Sequence, residues 1–243
     1  MRPLLLALSL LACGSTPAGP GTLPPPPPPA DGLRIVMLGN SLTYFNDLPG
    51  MVAELAVQGG APRPTMIVIA NPNWGLEDHW HDAAALAAID DPTVDVVVMQ
   101  QGPSTLPESR VNLLDYSSRL ADRIAVHDAR PGMYVVWPPI GGNIDAGIAH
   151  YTAAADARNM AIYPVAHAFR AVRASNPDIA IHAGDDFHPS HAGSWLAAMI
   201  IAATIYDHDP AQYPNLHPTF IEPAWEAPLR LAASQAIDAY ARP

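Results

Sequence analysis

Leu33-Arg34-Ile35-Val36-Met37-Leu38 runs into Gly39-Asn40-Ser41-Leu42-Thr43. Five of the first six residues are apolar, with no regular polar alternation. A run of this kind is buried on both faces, as in a parallel sheet covered on each side. The glycine and small polar residues that follow end it abruptly and suit a turn into a helix. The same pattern recurs along the chain. A helix is predicted over 47–59, with Met51, Val52, Leu55 and Ala56 on one face and Gly59-Gly60 stopping it. Strands are predicted over 65–70, 94–100, 133–137 and 161–165. Helices are predicted over 108–127, 145–159, up to Arg173, 190–206 and 229–240. Strands alternating with helices give an α/β fold: one three-layer α/β/α domain over 33–243, built on a parallel sheet.

Composition narrows the function classes. The chain has 243 residues, 49% of them hydrophobic, enough for one ordinary core. Its net charge is −11, and all 12 basic residues are Arg with no basic run, which argues against nucleic acid. The single Cys excludes an internal disulfide framework and any multi-cysteine metal site. No apolar run approaches the ~20 residues needed to span a bilayer.

The amino-terminal residues read as an address. Met1-Arg2 and the apolar stretch 4–11 fit a secretory signal, and Leu10-Leu11-Ala12-Cys13 resembles the lipobox of bacterial lipoproteins. The expectation is a signal peptide over 1–13 with lipidation at Cys13, against an ordinary signal with a chance Cys. Residues 14–32 include six consecutive prolines at 24–29, which favour an extended tether. The protein is thus expected to be exported, anchored to a membrane only by lipid, and monomeric.

In parallel α/β sheets ligands bind beyond the carboxyl ends of the strands. Four polar segments fall there: Gly39 to Thr43, Asn71 to Gly75, Gln100 to Ser104, and Asp185 to Ser190. Ser41 is presented at a strand-to-helix turn, where backbone N–H groups can hold an anion. A serine needs a base to become a nucleophile, and Asp185 and His188, three apart, can supply base and orienting carboxylate. A serine in such a place is ordinarily a turn or cap residue; the combination is what raises the nucleophile reading. Spacing favours Asp185 over Asp186 as the acid. Ser190 reads as the cap of the next helix and His191 as a surface residue.

These blocks resemble the SGNH hydrolase superfamily, relatives of the GDSL esterases and lipases, over about residues 33–207. Gly39-Asn40-Ser41-Leu42-Thr43 is similar to the nucleophile block, with Asn40 in place of the usual Asp. Asp185-Asp186-Phe187-His188 is similar to the acid–base block, and Gly75 falls at the family's oxyanion-hole glycine. The third block departs: Met99-Gln100-Gln101-Gly102-Pro103-Ser104 stands where Gly-x-Asn-Asp is usual. The resemblance implies a flavodoxin-like SGNH hydrolase fold and two-step acyl transfer by Ser41, Asp185 and His188. The oxyanion would be held by Ser41, Gly75 and the Gln100 side chain, with Gln101 and Ser104 as rivals to Gln100. No metal or organic cofactor is required.

The expected substrate is a short acyl ester, such as an O-acetyl group on carbohydrate, with Trp74 stacking on the sugar and Gln101 contacting substrate. One alternative is a catalytically weak module that binds a glycan or cell-wall fragment. Another is a metal-dependent phosphoesterase built on His182, Asp185, Asp186, His188 and His191. The cluster from Glu77 to Asp82 reads as the acidic start of a helix.

Overall fold

A computed structural model describes residues 31–213 and 219–240. The expected signal, Cys13 and the proline run lie outside the described residues. Strand β1 (Arg34–Gly39) leads through the short helix α1 (Ser41–Tyr44) into α2 (Leu48–Gln58) and β2 (Thr65–Ala70). Helices α3 (Leu76–His81) and α4 (Ala83–Ile89) connect to β3 (Val96–Met99), and α5 (Pro107–Ile124) to β4 (Arg130–Tyr134). Then come α6 (Ile144–Asp156), β5 (Ala161–Tyr163), α7 (Val165–Ser175), α8 (His191–Tyr206) and α9 (Pro223–Asp238).

The five strands form one parallel sheet in the order β2-β1-β3-β4-β5. β1 lies between β2 and β3, with Met37 in register with Val68 on one side and Val98 on the other. From Ile35 onward the residues of β1 are buried, as are those of β3, which explains their unbroken apolar runs. β2 is the edge strand, and Thr65 and Val68 are exposed. The chain leaves β1 for one edge and then returns to β3 on the other side. The carboxyl ends of β1 and β3 therefore flank the switch point where such sheets open a crevice.

Helices cover both sides. α8 is apolar around its whole circumference because α2, α7 and α9 pack against it. α3 packs on α5, and α5 on α6. Some boundaries depart from the sequence expectation. β4 starts at Arg130 rather than 133, because Arg130 and Pro131 pair with Val96 and Val97 at a parallel register that local hydrophobicity does not announce. α9 starts at Pro223 rather than 229. A proline suits the first helical position, whose N–H needs no partner. The break between α3 and α4 is made by Asp82, whose carboxylate accepts the Ala85 N–H at 2.7 Å.

Burial sets a pH limit on this fold. It lowers His79, His150, His182 and His208 from the ordinary 6.5, and brings His167 down to about 4. Protonation is thus easier in the unfolded chain, so stability rises with pH in this range. The thermal midpoint is expected to be level above pH 6.5 and to fall progressively between 6.5 and about 4. Melts across that range check it; a flat profile would contradict it.

Candidate active site

The turn that carries Ser41 is shaped by what surrounds Gly39. A Cβ there would lie 2.1 Å from Thr43 Oγ1 and 2.6 Å from Gln100 Oε1, so no other residue fits. Asn40 caps α1, its Oδ1 accepting the Leu42 N–H at 3.1 Å. Ser41 is then the first helical residue, half-buried, and its own N–H belongs to the first-turn groups that a helix leaves open. Behind the turn lies Gln100, fully buried at the end of β3. Its Oε1 accepts the Asn40 N–H at 3.0 Å and the Thr43 hydroxyl at 2.9 Å, while its Nε2 donates to the Gln101 carbonyl.

That arrangement corrects the expectation for Gln100. Its oxygen must face the Asn40 N–H, which can only donate, so its NH₂ group is turned away and already engaged. Gln100 is a strut under the Ser41 turn rather than an oxyanion donor. Gln101 is corrected for the same reason. It is buried, its Nε2 donates to Ser109 O at 3.2 Å, and its Oε1 accepts the Leu76 N–H at 3.4 Å. It braces α3 against α5, with its side chain beside Gly75. Ser104 is turned to Ser109 and the Leu106 N–H at the start of α5.

The Asp185 loop is closed by an antiparallel bridge between His182 and Pro189 and by the Ala183 N–H on His188 O at 2.8 Å. Asp186 adopts a left-handed conformation with φ of 60°, which Asp tolerates better than most residues. This turns the loop so that Asp185, not Asp186, faces the histidine. Asp185 Oδ1 accepts the N–H groups of Phe187 at 3.1 Å and His188 at 2.9 Å. Its Oδ2 lies 2.5 Å from His188 Nδ1, and His188 Nε2 lies 3.0 Å from Ser41 Oγ. A carboxylate only accepts, so Nδ1 carries a proton; in the neutral ring Nε2 is then the acceptor and the Ser41 hydroxyl donates to it. The His188 side chain and the two N–H groups hold the Asp185 carboxyl down at about 2. The His188 ring is stacked on Phe45 (centroids 4.6 Å apart, 19° between planes), with Phe187 tilted against it at 4.9 Å. Ser190 caps α8 as expected, accepting the Gly193 N–H at 3.1 Å.

The loop after β2 is tied to the Ser41 turn. Asn40 Nδ2 donates to Trp74 O at 2.9 Å. His79, fully buried, places Nε2 3.0 Å from Gly39 O. The carbonyl only accepts, so Nε2 carries the proton, and burial keeps the ring neutral. Within the Glu77–Asp82 run His79 reads only as part of a helix start; its burial against β1 is what reveals it. The Trp74 ring is half-buried with its edge against His79, 5.1 Å between centroids. The Gly75 N–H donates to Asp78 Oδ2 at 2.8 Å, so this expected oxyanion donor is engaged by a carboxylate.

Asn40 carries two hydrogen bonds that an aspartate cannot both make, because only an amide can donate to Trp74 O. Asn40→Asp sets a carboxylate against that carbonyl and is expected to lower the thermal midpoint by about 3 °C, the range of one lost buried hydrogen bond. An unchanged value would show that the tie to Trp74 does not matter.

Of the late His and Asp residues only Asp185 and His188 meet. The His182 ring packs edge-on against Trp137 and Phe169, and His191 lies against Phe220. Among the described residues no three His, Cys, Asp or Glu side chains are grouped to hold a metal ion.

No family model and no curated protein matches the chain. Solved structures do. A candidate SGNH hydrolase from Slackia heliotrinireducens is 30% identical, covering 71% of this chain and 98% of its own, with a TM-score of 0.63. A DUF4886 family protein from Bacteroides uniformis is 17% identical over 86% of this chain and 96% of its own, TM-score 0.70. A lipase/acylhydrolase from Enterococcus faecalis is 16% identical over 72% and 96%, TM-score 0.57. The last two are similar in fold alone.

Proposed function

The chain belongs to the SGNH hydrolase superfamily, and from that membership we propose that it is a serine esterase using Ser41, His188 and Asp185. The observation that carries this is the hydrogen-bonded line from Asp185 through His188 to Ser41 at 2.5 and 3.0 Å. Ser41 Oγ attacks the ester carbonyl carbon while its proton passes to His188 Nε2. Asp185 stabilises the imidazolium that results. The tetrahedral oxyanion is received first by the Ser41 N–H; the Gly75 N–H joins once it leaves Asp78. Each such donor is worth about 3 kcal/mol of barrier. The carbon–oxygen bond to the alcohol then breaks, with His188 returning its proton to the leaving oxygen. A water, deprotonated by His188, attacks the acyl-enzyme and releases acid and free Ser41.

Short acyl esters are the proposed substrates, including O-acetyl groups on carbohydrate, with the half-buried Trp74 as the stacking surface. Trp74→Ala is expected to lose activity on acetylated sugars while keeping that on p-nitrophenyl acetate. We read the chain further as exported and lipid-anchored at Cys13, which Cys13→Ser tests by release from the membrane fraction. One observation favours a second reading, a glycan-binding module with little catalysis: the Gln100 amide and the Gly75 N–H are both engaged. Turnover of p-nitrophenyl acetate and butyrate by the full-length chain separates the two. Hydrolysis that persists in chelator supports the esterase; a folded chain that is inert on both esters favours the binder.

A further inference from the structure

Two consecutive residues after α1, Asn46 and Asp47, have left-handed backbones, with φ of 55° and 56°. Asparagine and aspartate enter this region more readily than other side chains, yet each such residue is held there at a cost that its surroundings must offset. Asp47 has a local reason, since it caps α2 by accepting the Gly50 N–H at 3.2 Å. Asn46 has none in its own segment. Its Nδ2 instead donates to Pro189 O at 2.9 Å and to Ser194 Oγ at 3.0 Å. Pro189 directly follows His188, and Ser194 stands in the first turns of α8. The Ser194 hydroxyl in turn points to Phe45 O at 3.5 Å, and the Phe45 ring stacks on His188.

Both ends of the Ser41–His188 hydrogen bond are therefore held by one short segment. Ser41 begins α1, five residues before Asn46, and His188 lies under Phe45 and one residue before the carbonyl that Asn46 grips. We propose that Asn46 is a positioning residue that sets the distance between Ser41 Oγ and His188 Nε2. This rests on the serine esterase reading. The left-handed bend aims the amide across the 143 residues that separate Asn46 from Pro189, and the fold keeps the bend because the amide uses both its protons there. Asn46 touches no reacting atom; it acts through His188.

The test uses the full-length chain, Asn46→Gly, and a fluorophosphonate that phosphonylates an activated serine with loss of fluoride. Glycine adopts φ near +55° without strain, so the variant removes the amide and leaves the bend. A displacement of about 1 Å between nucleophile and base costs on the order of 10²-fold. Asn46→Gly is expected to slow Ser41 labelling and kcat about 30-fold, with KM for p-nitrophenyl acetate within about twofold of the wild type. A merely structural role would lower the thermal midpoint and leave labelling below that midpoint unchanged. Should Asn46→Gly not melt cooperatively, Asn46→Asp takes its place. It keeps the backbone preference but cannot donate to Pro189 O, and it is expected to slow labelling about tenfold. Wild type that labels at Ser41, with the folded variant labelling equally fast, overturns this proposal alone. Wild type that neither labels nor hydrolyses ester overturns the serine reading, and this proposal with it.

Discussion

Ser41→Ala is expected to lower kcat for p-nitrophenyl acetate on the order of 10⁴-fold or more, with KM little changed. The loss is large because nothing nearby replaces the hydroxyl. His188 Nε2 faces Ser41 Oγ at 3.0 Å, so removing the hydroxyl leaves the base with nothing to activate. Serine nucleophiles act with their base as one unit, so removing either costs nearly as much as removing both. The double variant Ser41→Ala, His188→Ala should therefore be scarcely slower than either single one. A product of the two separate losses would mean that the residues act independently and that the line through His188 is not used. The fold should survive: Ala is at least as good a helix former as Ser in α1, and no hydrogen bond that shapes the turn passes through the Ser41 side chain. Equal thermal midpoints would show that the lost rate is chemical.

Asp185→Asn is expected to cost on the order of 10³-fold in kcat. The amide keeps an oxygen for the Phe187 and His188 N–H groups, so the loop holds its shape. Its NH₂ group then faces Nδ1 and forces that nitrogen to accept, which puts the ring proton on Nε2 and blocks the Ser41 proton transfer. The pH profile gives an independent sign. The Asp185 carboxyl is held at about 2 by His188 and the loop N–H groups, below its ordinary 3.8. Its stabilising contribution is thus present in full above 3.8 and is lost only as pH falls towards about 2. Any loss of kcat/KM in wild type at pH 5 or 6 therefore belongs to a group other than Asp185. A rate that tracks an acid group near pH 4 would contradict the hydrogen-bond pattern around Oδ1 and Oδ2.

The parts of the fold and site that could be read from residues were those encoded within a few positions. The run from Leu33 to Leu38 needs no partner to declare itself a buried strand, and Asp185 and His188 lie in one turn whose spacing is visible. The resemblance to a family joined these to Ser41 and to the sheet. What was not legible depends on neighbours far along the chain. Gln100 reads as a polar group at a strand end, and only the pairing of β1 with β3 brings its oxygen to the Asn40 N–H. Gln101 is spent between α3 and α5, elements that pack only in the folded chain. His79 looked like part of a charged helix start, yet the turn of α3 buries it against Gly39 O. Asn46 carried no signal, because its left-handed backbone shows only in three dimensions. Arg130 and Pro131 join β4 through register, which hydrophobicity does not report.

The same distinction explains why the oxyanion site needed the most revision. A nucleophile and its base are recognised by residue type, whereas an oxyanion donor is recognised by where an N–H points. The Ser41 N–H follows from its place at the start of α1. The Gly75 N–H depends on a contest with Asp78 that the sequence does not record. Gln100 holds the Ser41 turn from below, and in the proposed mechanism anion stabilisation would fall to backbone groups.

Ester hydrolysis is expected to pass through an acyl group carried on Ser41. Acid quenching of the full-length chain during turnover of p-nitrophenyl butyrate, followed by peptide mass mapping, measures this directly. One butyryl group is expected on the peptide containing Ser41, chased away when substrate is exhausted and missing from Ser41→Ala. Steady turnover with no acylated peptide, or a butyryl group that maps to another residue and is chased at the rate of turnover, would contradict it.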